Sequence, residues 1–123
     1  MVRVDLNFIK GDTYSRGFTI ENCKFNITQI YFTVKEKSSD KNYVIQKRLN
    51  AGITQDSNQD NRYVLVISPE DTDNLKTNTN YVFDIEITSA VIKKTIVGGY
   101  FKLEDWDITC EANEVAWWTI TLM

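Results

Sequence analysis

The chain has 123 residues, 42% hydrophobic and 25% charged, the composition of one globular domain with a core of its own. A net charge of −3 disfavours non-specific nucleic-acid binding, and no apolar run is long enough to span a bilayer. The absence of histidine removes Ser-His-Asp and Cys-His pairs, His general bases and His metal ligands together. No signal-peptide pattern opens the chain, so Cys23 and Cys110 are expected as two reduced thiols.

The N-terminal stretch alternates Val2, Val4, Leu6 and Phe8 with Arg3, Asp5 and Asn7, which predicts one half-buried strand. Gly11 supplies a positive φ at the break that follows. Phe18 and Ile20 mark a second strand, and Ile30, Phe32 and Val34 a third, with Tyr31, Thr33 and Lys35 on its other face. Tyr43 to Leu49 reads as a fourth strand, its inward set being Tyr43, Ile45, Lys47 and Leu49. Lys47 interrupts that set and suggests a sheet edge, where an inward charge deters aggregation. Gly52 to Asn61 reads as a polar loop. Tyr63, Leu65 and Ile67 then form a strand that is apolar on both faces, through Val64 and Val66.

Ser68-Pro69-Glu70-Asp71 predicts a helical turn. Ser68 is its cap, Pro69 its first residue, and Asp71 the acid of a capping box. Leu75 pins the turn to the core. Tyr81, Phe83, Ile85 and Ile87 then alternate with Val82, Asp84, Glu86 and Thr88. A Tyr that opens a strand after such a turn matches a tyrosine corner, its hydroxyl bonding to backbone near Asp71 to Leu75. Thr95 to Leu103 is a strand whose paired Gly98 and Gly99 suggest a bulge or a close backbone approach. Trp117 to Leu122 is the last strand.

The fold expected is all-β: an immunoglobulin-like antiparallel β-sandwich of seven to nine short strands with one short helical turn. The sandwich covers residues 1–109, and residues 110–123 form a C-terminal extension that adds a strand to the same domain. Trp118, Ile120 and Leu122 share the face that suits the core. Trp117 stands outward with Thr119 and Thr121, so the extension is the expected interface, named by Trp117, Trp118, Ile120 and Leu122.

No enzyme is expected. Asp56 to Asn61 begins like a calcium loop, but Asn61 stands where Gly is needed and Ile67 where the bidentate Glu is needed. Asp71 with Asp73, and Asp105 with Asp107, read as solvated turn acids. Gly98-Gly99 lacks the rest of a phosphate loop, and Lys47-Arg48 and Lys93-Lys94 are isolated basic pairs. Neither a cofactor nor a metal is implied.

Several stretches taken in order carry a resemblance. They are Gly11-Asp12-Thr13, Ile30 to Lys35, Ser68 to Leu75, Tyr81 to Thr88, Gly99-Tyr100-Phe101 and Asp107-Ile108-Thr109. The region from Lys10 to Thr109 resembles the N-terminal domain of phage upper-baseplate and related tail or prophage structural proteins. That resemblance implies an immunoglobulin-like assembly module of a virion. It would be made in the host cytoplasm and work through other phage tail or baseplate proteins or as a homo-oligomer, with no nucleic-acid or membrane partner. A second reading, of another class, is a stand-alone carbohydrate-binding module for host-surface recognition. It rests on three Trp and six Tyr, whose rings can stack on sugars.

Overall fold

The computed structural model of the chain describes residues 1–56, 58, 61–105 and 116–121. The strands in chain order are β1 (Val2–Arg3), β2 (Leu6–Ile9), β3 (Tyr14–Glu21), β4 (Gln29–Lys35), β5 (Ile45–Leu49) and β6 (Gly52–Gln55). They continue with β7 (Arg62–Ile67), β8 (Tyr81–Thr88), β9 (Lys93–Glu104) and β10 (Ala116–Thr121). One helical turn, α1 (Pro69–Thr72), joins β7 to β8. No helix among the described residues is long and apolar enough to cross a membrane.

Alternation in sequence becomes alternation in burial. In β8, Tyr81, Phe83, Ile85 and Ile87 are buried while Val82, Asp84, Glu86 and Thr88 are half-buried. β4 repeats this, with Ile30, Phe32 and Val34 inward. Phe32 lies 5.5 Å from Phe83 and 6.4 Å from Phe101 by ring centroids, so three strands meet at one aromatic cluster.

The strands form one mixed sheet that curls to a nearly barrel-shaped wall, in the order β1-β9-β8-β4-β5-β6-β7-β3-β10, with β2 also on β9. The pairing is not wholly antiparallel, as the sequence suggested. β1 and β2 run parallel to β9, β10 runs parallel to β3, and β5 meets β6 in a short parallel pairing. β5 is therefore not an edge. It lies between β4 and β6, though only Arg48 and Leu49 reach β6.

Among the described residues ten strands replace the expected seven to nine, for two reasons. The N-terminal strand is broken at Val4 and Asp5, because the chain there crosses Gly99. A Cβ on Gly99 would sit 1.8 Å from the Val4 carbonyl oxygen, so the close approach needs a residue without one. The Asp5 carboxylate accepts the Tyr100 amide at 3.0 Å, and the Val4 amide donates to the Gly98 carbonyl at 3.0 Å. The register shift in β9 falls at Ile96, since Ile85 pairs with Val97 and Glu86 with Thr95, two residues before Gly98 and not at the glycines themselves. The second addition is β6. It occupies part of the presumed loop because Ile53 is fully buried against the core.

Gly11 has φ 93° at the turn after β2. Tyr43 precedes β5 and is 53% exposed, so it is not an inward residue. Cys23 is half-buried, and its thiol donates to the Phe25 carbonyl at 3.1 Å. Cys110, Asp107 and Leu122 lie outside the described residues, as does the side chain of Trp117.

The turn before β8 is held from several sides. The Ser68 amide and hydroxyl both donate to Asp71 Oδ2, at 2.8 and 2.9 Å. Lys47 comes to 2.7 Å from the same oxygen, which gives the inward-facing lysine its partner. Burial raises the Asp71 carboxyl, but hydrogen bonds from Lys47 and Ser68 outweigh it and hold the group below its ordinary value. Leu75 is buried as expected, and its carbonyl accepts from Lys10 Nζ at 2.8 Å. Tyr81 is buried, and its hydroxyl accepts the Lys76 amide at 2.9 Å, one residue past the expected span.

Candidate interaction surfaces

Two surfaces emerge from this framework. The first is β10, the last strand of the sheet. It pairs with β3 at six successive positions, from Ala116 opposite Arg16 to Thr121 opposite Glu21. Among the described residues no strand pairs with its other edge. The expected interface residues divide. Ile120 is 2% exposed and belongs to the domain's own core. Trp118 is half-buried against that core, and Thr119 between them is exposed.

A relay of rings and one cation leads from Trp118 to the opposite end of the sheet. The Arg16 guanidinium stands over the Trp118 ring at 4.5 Å, and Arg16 Nε donates to the Tyr14 hydroxyl at 3.0 Å. Tyr14 stacks on Phe8 at 4.4 Å, and Phe8 meets Phe101 edge-on at 5.3 Å. Side chains thus bridge the β3–β10 end to the β2–β9 end.

The second surface is a groove of about 490 Å³ over the outer face of β4, β5 and β8. Its floor is two rungs set by strand register. In one, Gln46 of β5, Thr33 of β4 and Asp84 of β8 lie side by side. In the other, Arg48, Tyr31 and Glu86 do so. Gln46 Nε2 donates to Thr33 Oγ1 at 3.3 Å, and the Arg48 guanidinium lies 5.9 Å from the Tyr31 ring centre. Lys93 comes within 3.7 Å of Glu86, and exposed Tyr43 stands at one wall. A smaller hollow of about 110 Å³ shares Thr33, Lys35 and Asp84 with the groove.

Asp84 is the unusual member. It is half-buried, and no hydrogen bond or ion pair reaches its carboxylate among the described residues. Burial raises its carboxyl above the ordinary value, the neighbouring Glu86 charge raises it further, and Lys35 only partly opposes them.

The sequence reading placed each floor residue on the outward face of its strand, but it had no means of joining them. Four strands, β4, β5, β8 and β9, and the loop before β5 supply the groove, and only register brings Asp84 beside Thr33. No group of three or more metal-ligating side chains forms among the described residues. No family model matches the chain, and no curated protein matches it.

Proposed function

We propose that the chain is an immunoglobulin-like β-sandwich that serves as an assembly module, a virion structural protein of a phage or prophage tail or baseplate. The observation that carries the assembly reading is β10, an edge strand with six consecutive pairings on one side and none on the other among the described residues. Such an edge offers backbone donors and acceptors to another chain.

Support for the sandwich comes from the strand order. β9-β8-β4-β5 and β6-β7-β3-β10 form two halves that meet at the thin β5–β6 pairing. Tyr81 accepting a backbone amide just upstream is the tyrosine-corner arrangement of such folds. Support for the phage assignment is the ordered resemblance of Lys10 to Thr109.

The test has two arms. Light scattering compares the full chain with Trp117→Lys, which leaves the core residue Ile120 in place, and with a chain lacking residues 115–123. Mass spectrometry asks whether purified virions of a phage carrying this gene contain the protein. The reading requires assembly that the edge variants weaken and a virion that holds the chain. Unchanged assembly in both variants removes β10 as the interface. Virions without the chain remove the structural role.

A further inference from the structure

The groove over β4, β5 and β8 combines features that a merely solvated sheet face does not need. Its floor carries a carboxylate, a hydroxyl and an amide in one rung, and a carboxylate, a ring and a guanidinium in the next. At about 490 Å³ it lies within the range of small-ligand sites. Asp84 has been partly withdrawn from water, yet no donor among the described residues meets its carboxylate. Such a group loses hydration without receiving a hydrogen bond in exchange.

The chemistry of the lining narrows the ligand. A divalent cation would meet two carboxylates, but also four cations around them, Lys35, Lys41, Arg48 and Lys93. A phosphate or sulfate would be drawn to those cations and repelled by Asp84 and Glu86 at the floor. An apolar peptide would find little apolar wall. A neutral polyhydroxylated ligand satisfies all of these at once. Its hydroxyls donate to carboxylates and accept from the amide and guanidinium, and its C–H face packs on a tyrosine ring.

We propose that this groove binds a neutral saccharide, with Asp84 and Glu86 accepting hydrogen bonds from its hydroxyls and Tyr43 stacking on a ring face. Gln46 and Arg48 donate to the same unit from the β5 side. The hollow that shares Thr33 and Asp84 gives room beside the first ring, so a short oligosaccharide suits the site better than a single sugar. The site is independent of the assembly reading. β6, β7 and β3 separate its strands from β10 along the sheet.

The experiment uses the full chain on an immobilised panel of neutral hexose and N-acetylhexosamine oligosaccharides, with uronic-acid and sialylated ones for comparison. The strongest neutral binder is then titrated calorimetrically against wild type, Asp84→Asn and Tyr43→Ala. Asp84→Asn keeps the shape and removes one charged acceptor, and is expected to weaken binding about tenfold. Tyr43→Ala is expected to weaken it severalfold. Both variants should melt no lower than about a degree below wild type, since neither side chain holds the core. Binding confined to acidic sugars, an absence of binding across the panel, or unchanged affinity in both variants would overturn the assignment.

Discussion

The backbone amide of Lys76 donates to the hydroxyl of Tyr81 across 2.9 Å, inside a turn that is also held by Lys10, just past β2, and by Lys47 of β5. The ring of Tyr81 is 3% exposed, so the amide would find little water in its place. Tyr81→Phe keeps the ring and removes the acceptor. It should lower stability by about 1–2 kcal/mol, measured as a shift in denaturation midpoint with an unchanged m-value.

Asp71 and Asp84 should respond to pH in opposite senses. The folded Asp71 carboxyl lies below the ordinary 3.8, so its contribution is complete above that value and is lost as pH falls through the lowered one. The folded Asp84 carboxyl lies above 3.8, so its contribution to stability is present below that value and is lost as pH rises through the raised one. At neutral pH, Asp71→Asn should therefore cost about 1–2 kcal/mol, and Asp84→Asn should be neutral or stabilising. Melting curves between pH 3 and 7, a range of about four units around these carboxyls, check both signs.

Gly99→Ala should cost about 2–3 kcal/mol, because the atom in the way is a backbone carbonyl that cannot swing aside. Its neighbour is the control. A Cβ on Gly98 meets the end of the Met1 side chain at 3.0 Å, which can move. Gly98→Ala should cost under about 1 kcal/mol by the same denaturation measurement. Equal losses at the two positions would contradict the crossing at Val4.

Trp118 and Arg16 touch each other but should differ in weight. Trp118→Ala removes ring surface packed on the core and should cost about 2–3 kcal/mol. Arg16→Ala removes a cation over that ring and one hydrogen bond to Tyr14, and should cost under about 1 kcal/mol. Thermal denaturation of the two variants separates packing from the cation–ring contact.

β4 and β8 were readable from sequence because each buries one face, which imposes a strict period of two. β6 was not readable, since Gly52, Thr54 and Gln55 surround a single apolar residue, Ile53. The split of the first strand was hidden for another reason. Val2, Val4, Leu6 and Phe8 alternate without interruption, and the break comes from Gly99, far along the chain. Lys47 stands out in the sequence as a charge on an apolar face, but its partner Asp71 belongs to a different element. The groove was legible residue by residue and illegible as a site. Asp84 and Glu86 share a face by their spacing of two, but Tyr31 is far from them in the chain, and only the pairing of β4 with β8 makes it their neighbour.

The parallel pairing of β2 with β9 sets an order of events during folding. Leu6 lies opposite Phe101, and Phe8 opposite Leu103. A ribosome delivers Leu6 well before Phe101, which follows only after β3 through β8 have emerged. Throughout that interval β2 lacks its pairing partner, with Phe8 meeting only Tyr14 of β3, and closing so long a loop is slow. β2 is thus made well before the strand that secures it, and an unfinished chain displays Leu6 to whatever it meets.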